Sequence, residues 1–289
     1  MRIAVAGGTG VVGKFVVTAA ENAGHEVVSL SRKSGVDVRS GEGLSRALKG
    51  VDVIVDTVNS ASTSRQKATA FFTEVTGRLH EAGAREGVAH LVVLSIVGLE
   101  GVPGYGYYEA KLAQEKAAHA GPLPVTIVRA TQFHEFPAQI LRHMQCGPIA
   151  FVPKMRMQPV AARTVGEVLL EAALAPPTST VTEVAGPEPT DLVSLARAVI
   201  RHRGQRAWVV PLAVPGSAGQ AMRNGGQLPP SGVRVVGPTF SEWLNGGDLE
   251  LVPSSATRRT ATGSGSPESV VPAGATRRRS PPDRRRTGA

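Results

Sequence analysis

Three groups of residues have types and spacings that could do chemistry. The first is Val5-Ala6-Gly7-Gly8-Thr9-Gly10-Val11-Val12-Gly13, where glycine recurs as G-x-x-G-x-x-G. Glycine at 7 permits a tight turn, at 10 a close approach of backbone to a ligand, and at 13 close packing of a helix on a strand. If a strand precedes the run and a helix follows, the helix N-terminus adds free N–H groups and the positive end of its dipole. Such a loop takes a phosphate, and between strand and helix it takes the pyrophosphate of a dinucleotide. Gly7, Thr9, Gly10, Val11, Val12 and Gly13 are its expected contacts.

The second group lies about 20 residues on, where a dinucleotide fold selective for NAD ends its second strand in Asp or Glu to bind the ribose 2′-hydroxyl. Here the chain reads Ser29-Leu30-Ser31-Arg32-Lys33. No acid is present to repel a 2′-phosphate. Arg32 offers a planar fork for one, with Lys33 adding charge and Ser31 a hydroxyl, so the expected cofactor is NADP(H). The plain alternative is a solvated basic turn. Asp37, between Val36 and Val38, could accept a bond from the adenine amino group or could simply cap a turn.

The third group is Ser95 with Tyr107 and Lys111, a Y-x-x-x-K pair twelve residues further on. Four-residue spacing puts Tyr107 and Lys111 on one helical face. Reduction of a carbonyl needs a proton donor at the developing alkoxide, and a phenol of pKa about 10 is a slow partner at neutral pH. A nearby ammonium would lower that pKa, and Ser95 could hold the carbonyl oxygen. Alternatively Tyr107 or Tyr108 packs under the glycine-rich loop 98–106, with Lys111 and Glu115 as an exposed i,i+4 pair. His134 and Glu135 could orient a substrate, or could be helix-start residues facing solvent.

The elements that must position these residues follow one rhythm over 2–206: an apolar run, a turn, then an amphipathic stretch. Strands are expected near Arg2–Ala6, Glu26–Leu30, Val36–Val38, Asp52–Thr57, His90–Ile96 and Pro124–Arg129. Their Val and Ile show little alternation, as in strands covered on both faces. Helices are expected at about 11–23, 42–49, 65–86, 108–120 and 134–145, with Gly24, Gly50, Gly87 and Gly121 as left-handed closing residues. Phe71, Phe72, Val75 and Leu79 form a packing stripe on the third helix. After residue 147 the pieces shorten: strands at Ile149–Val152, Val181–Ala185 and Trp208–Pro211, and helices at about 164–175, 191–203 and 239–244. The reading is a doubly wound α/β sheet of the Rossmann type over 1–147 with Thr57 at its carboxyl edge, and a small substrate lobe over 148–250 that completes the same domain.

The 289 residues carry a formal charge of +9, which suggests a polyanion binder until its location is considered. Residues 251–289 hold eight Arg against Glu268 and Asp283, and their Pro, Ser, Gly and Thr show no period, so a disordered, solvated tail is expected there, with contact of its Arg clusters to nucleic acid or an acidic surface as the alternative. The remainder is only modestly basic. Aromatics at 4% argue against a stacking platform for single-stranded nucleic acid. One cysteine, Cys146, excludes an internal disulfide framework, and no Cys/His cluster has zinc spacing. The N-terminal apolar run is too short for a signal peptide, and no stretch approaches the ~20 apolar residues of a membrane span, so a cytoplasmic protein is expected.

The first ~247 residues resemble an atypical short-chain dehydrogenase/reductase, close to the NmrA-like, NAD(P)H-binding branch. The resemblance is carried by Gly7–Gly13, Ser31-Arg32, Ser95-Ile96-Val97-Gly98, Tyr107–Lys111 and Arg129-Ala130-Thr131-Gln132-Phe133. It implies a cofactor at the carboxyl edge of the sheet, with Thr131, Gln132 and Phe133 beside the nicotinamide, and a chemistry-bearing Tyr and Lys. Two departures stand out. Asp56-Thr57-Val58-Asn59 replaces the Asn-Ala-Gly of typical members, and the glycine loop lacks their T-G-x-x-x-G-x-G spacing. The expected function is an NADPH-dependent reductase of a carbonyl or quinone-like small molecule. A cofactor-binding sensor without turnover is the alternative. A nucleotide-sugar epimerase is a third, disfavoured because the lobe's sequence shows no cationic cluster for a second diphosphate.

Overall fold

The computed structural model describes residues 1–178, 180–247 and 249. Runs of Val, Ile and Ala form β1 (Arg2–Ala6), β2 (Glu26–Leu30), β3 (Val53–Asp56), β4 (His90–Ile96) and β5 (Val125–Ala130). Between them lie α1 (Gly13–Asn22), α2 (Leu44–Leu48), α3 (Arg65–Glu86) and α4 (Gly106–Ala120), with α5 (Phe136–Met144) following β5. Short pieces come next: β6 (Gln145–Cys146), β7 (Ile149–Pro153), β8 (Arg156–Met157), α6 (Ala162–Leu174), β9 (Thr182–Ala185) and β10 (Thr190–Asp191). The described chain closes with α7 (Leu192–His202), β11 (Trp208–Leu212), α8 (Gly216–Asn224), β12 (Arg234–Val235) and α9 (Phe240–Asn245).

The main sheet is seven-stranded, in the order β12-β9-β5-β4-β3-β1-β2, and every pairing is parallel. All four residues of β3 are buried, because helices cover both faces. Ile3 and Val5 pack toward α1 and α6, while Ala4 and Ala6 pack toward α2 and α3. Strand order reverses between β1 and β3, which opens a crevice at their carboxyl ends where such sheets bind ligands. The lobe adds a β11-β7-β6 sheet and a β10-β8 ribbon, with a core built from α5, α7, α9 and the loop after β4. It is interlocked with the main sheet, since β9 and β12 extend that sheet and α6 lies against α1 at Gly166.

Three expectations are corrected here. Val36–Val38 is not a strand; Asp37 makes only an isolated bridge to Glu42. A 3-10 turn at Arg32–Ser34, a left-handed Gly35 and a turn in which Asp37 Oδ1 accepts from the N–H groups of Arg39 (2.9 Å) and Ser40 (3.3 Å) fold the chain over too soon. The strand carrying Ser95 is therefore the fourth, not the fifth. Gly121 is extended rather than left-handed at φ −82°; its missing Cβ leaves room for the His80 ring. Helix α8 was not expected, because its sequence, Gly216-Ser-Ala-Gly-Gln-Ala, carries little apolar periodicity. The tail over 251–289 lies outside the described residues. Among the described residues no helix is long and apolar enough to cross a membrane, and no metal-binding cluster forms.

Candidate functional site

The glycine run leaves β1 at the crevice. Gly7 is left-handed at φ 77°, and the Gly10 amide donates to its carbonyl at 2.8 Å, closing the turn. Any side chain on Gly13 would strike that same carbonyl and come within 2.7 Å of Thr57 Oγ1. Thr57 braces the loop from β3, its amide and hydroxyl both donating to Ala6 O, at 2.9 and 2.8 Å. α1 starts with no capping side chain and no acid in its first turn, and the amides of Val12 and Gly13 have no acceptor among the described residues. Thr9, Gly10 and Val11 are exposed above them. This is a cradle of unpaired N–H groups at a positive helix end, which suits a pyrophosphate.

Ser31, Arg32 and Lys33 form the turn after β2. The Ser31 amide donates to Ser34 Oγ at 3.1 Å, and Ser34 Oγ donates to Ser29 O at 2.6 Å, so the turn is built from its own serines. Arg32 and Lys33 are exposed and form no ion pair among the described residues. Beyond β5, backbone bonds fix the segment 131–134: the amide of Thr131 donates to Val184 O (3.1 Å), that of Val160 to Gln132 O (2.9 Å), and that of His134 to Val160 O (3.0 Å). Phe133 bridges Val160. The Thr131 hydroxyl and the Gln132 carboxamide oxygen are buried and meet no partner among the described residues, which leaves them available to a ligand's amide. The glycine cradle, the free cations and these orphaned oxygens together fit a dinucleotide lying across the carboxyl edge.

α4 carries the Tyr–Lys pair, and two buried polar chains fasten it to the sheet. In one, Lys111 Nζ donates to Leu94 O (2.7 Å) and to Gln114, whose amide donates to Asp56 Oδ2 at 3.0 Å. Burial lowers the Lys111 pKa to about 8 despite the charges of Asp56 and Glu115, and burial raises that of Asp56. In the other chain Ser95 donates to Glu115, which accepts from Arg129 at 2.7 and 2.9 Å; Arg129 also reaches Glu100 at 2.9 Å. These bonds raise the Arg129 pKa above its ordinary value.

So fixed, the first turn of α4 places three tyrosines over the ends of β3 to β5. Tyr107 donates to Asn59 Oδ1 at 2.6 Å, and its ring meets Phe72 edge-on at 5.9 Å. Tyr108 accepts from Gln132 Nε2 at 3.3 Å. Burial, with Tyr105 and Tyr108 close by, pushes the Tyr107 phenol well above its usual pKa.

The constellation read from sequence is thus rearranged. Ser95 is buried, and its hydroxyl faces α4 instead of the crevice, because strand alternation turns it to the side occupied by Glu115. Lys111 packs over the Phe72 ring at 4.8 Å, and Glu115 pairs with Arg129; neither is an exposed partner of the other. His134 and Glu135 are buried instead of facing solvent. His134 Nε2 bonds Pro238 O at 3.0 Å, and Glu135 accepts from the Ala162 amide at the start of α6. Sequence reasoning missed Asn59, Gln114 and Arg129. The available signal was Gln114 and Glu115 recurring three and four residues after Lys111, polar groups on a face that should pack.

Residues 7–176, more than half of the chain, match the family described as NAD(P)H-binding. No curated protein sequence matches the chain. Among solved structures it is similar to a short-chain dehydrogenase/reductase superfamily protein from Agrobacterium tumefaciens with bound NAD. That match has 19% identity and a TM-score of 0.62, covering 87% of this chain and 97% of that one. The UDP-N-acetylglucosamine 4-epimerase of Bacillus cereus matches at 17% identity and TM-score 0.62, covering 92% and 99%. The dTDP-4-dehydrorhamnose reductase of Yersinia enterocolitica matches at 17% and 0.57, covering 75% and 86%. At such identities the likeness shows the fold.

Proposed function

Because the chain belongs to the NAD(P)H-binding family and shares its fold with short-chain dehydrogenase/reductases, we propose that it is an NADPH-dependent reductase of a carbonyl or quinone-like small molecule. The observation that carries this reading is the position of Tyr107, whose protonated phenol donates to Asn59 just beyond the carboxyl end of β3, while its neighbour Tyr108 accepts from Gln132 after β5. When bound, the cofactor supplies a hydride. The chain's part is to hold and move a proton.

Tyr107 Oη–H now donates to Asn59 Oδ1, and it would turn to a substrate oxygen as negative charge develops there. A raised pKa suits that direction, because the phenol stays protonated at neutral pH. Lys111 is a positioning residue that ties α4 to β4, and Ser95 belongs to the same scaffold. Thr131 and Gln132 offer the nicotinamide carboxamide its partners, and Arg32 with Lys33 offers charge to a 2′-phosphate.

The second reading is a cofactor-binding regulator without turnover, favoured by the withdrawal of Ser95 and Lys111 from the crevice. The two separate on one measurement: NADPH consumption across a panel of aldehydes, ketones and quinones. Consumption that Tyr107→Phe abolishes supports the reductase, and tight NADPH binding without consumption supports the regulator.

A further inference from the structure

Far along the chain from the glycine loop, the lobe has an open cleft of about 350 Å³ whose wall carries Lys154, Arg156, Arg197 and Arg223. No run of basic residues announces it, since the four are drawn from the loop after β7, from β8, from α7 and from α8. The fold assembles what the sequence disperses, and the expectation that the lobe has no cationic cluster is overturned. None of the four forms an ion pair among the described residues.

Asp191, the acid on the same wall, offsets one of these charges and forms no ion pair with them among the described residues. Its carboxylate caps α7, accepting from the Ser194 amide at 2.9 Å and the Ser194 hydroxyl at 2.6 Å. The frame is rigid. Lys154 N donates to Leu212 O (2.8 Å), Leu192 N to Met155 O (3.0 Å), and Gln227 Nε2 to Arg156 O (2.6 Å); Arg156 faces Asp191 in the β10-β8 ribbon. Arg223 is anchored by donating to Val214 O at 2.7 Å. Val193 and Arg197, four residues apart on α7, present an apolar floor and a charge to the same space.

Four unpaired cations held around one concavity repel one another, and that cost is relieved when an anion enters. Three of them are arginines, whose forks bind phosphate oxygens two at a time. The concavity matches the ~300 Å³ lower end of small-molecule sites, which favours a compact ligand over a polymer. We propose that this cleft binds the phosphate or diphosphate group of a small molecule, at a site separate from the cofactor cradle. The inference goes beyond the reductase reading and does not depend on it.

The test is calorimetric titration of pyrophosphate, inorganic phosphate and citrate into the full chain saturated with NADP⁺, so that the glycine loop and Arg32 are already occupied. Saturable pyrophosphate binding is expected, weakened at least tenfold by Arg156→Ala/Arg197→Ala, with NADPH affinity unchanged as the measure of an intact fold. If the double variant loses NADPH binding, the single variants Lys154→Gln and Arg197→Gln replace it, each expected to weaken pyrophosphate several-fold. Pyrophosphate binding that vanishes on NADP⁺ saturation, or persists undiminished in the cleft variants, overturns the proposal by assigning the anion to the cradle or the Arg-rich tail. Citrate binding more tightly than pyrophosphate overturns the phosphate assignment.

Discussion

Tyr107 and Lys111 lie one turn apart on α4, yet their polar ends leave in different directions. The phenol donates to Asn59 Oδ1 at 2.6 Å, and the ammonium donates to Leu94 O at 2.7 Å, beneath the helix. The Tyr107 phenol is raised instead of lowered, so it stays protonated through the neutral and mildly alkaline range. A reduction using it as the acid has no falling limb between pH 7 and about 9 from loss of its proton. The pH dependence of kcat on any substrate from the panel checks this. Because Lys111 itself titrates at about 8, the phenol is followed directly, and a tyrosinate absorbance transition below about pH 9 that Tyr107→Phe removes would restore the lysine-activated phenol.

Removing the phenol and removing the serine should separate cleanly. Tyr107→Phe keeps the ring against Phe72 and deletes the proton donor, so kcat falls by about 10²–10⁴ while the melting temperature is nearly unchanged. Ser95→Ala deletes a buried bond to Glu115, which costs about 1–3 kcal/mol of stability and leaves kcat within a few-fold. Steady-state rates and urea unfolding on both variants decide the matter. A large kcat loss in a well-folded Ser95→Ala would return the serine to the reacting centre.

Arg32 is exposed on the turn after β2 and forms no ion pair among the described residues. One charge-assisted bond to a 2′-phosphate is worth about 1.5–3 kcal/mol, a ten- to hundredfold preference for NADPH. Arg32→Glu should therefore weaken NADPH by at least that factor while NADH changes little. Fluorescence titrations with both cofactors measure it, and equal losses would remove the 2′-phosphate contact.

The parallel sheet was legible because its signals are local: four or five apolar residues, a glycine, then a helical stripe. α3 begins and ends at Arg65 and Glu86, as expected from its pattern. The cradle was legible for the same reason, its glycines being adjacent in the chain. What could not be read depends on contacts distant in sequence. Ser95 looks like a strand-end catalytic serine until Glu115 is found to share its face, and Arg129 joins them only because β5 lies beside β4. Local turn chemistry also defeated a plausible strand at Val36–Val38, where serine and aspartate side chains satisfy the backbone that a ladder would have used.

His134 links the site to acid stability. It is 1% exposed, its ring stacks near Phe240 and Trp243 at 5.4 Å, and Nε2 bonds Pro238 O, so it is buried neutral. Burial lowers its pKa to about 4, against 6.5 for the free side chain. Between those values the unfolded chain takes up a proton that the folded protein refuses. Stability is therefore complete above pH 6.5, declines as pH falls toward 4, and receives no further loss from this group below that. A shift of this size amounts to roughly 3 kcal/mol across the window, since each unit corresponds to ~1.4 kcal/mol. His134→Phe keeps an aromatic ring against Phe240 and Trp243 but removes the titrating group and one hydrogen bond. It should be about 1 kcal/mol less stable than the wild type at pH 7.5 and lose less on acidification, the two curves crossing at about pH 6. Because the carboxylates titrate alike in both proteins, the difference in urea midpoint between pH 7.5 and 4 isolates the histidine. Parallel curves over that range would mean that His134 is free to take up a proton in the folded state, and that the contact with Pro238 does not hold it neutral.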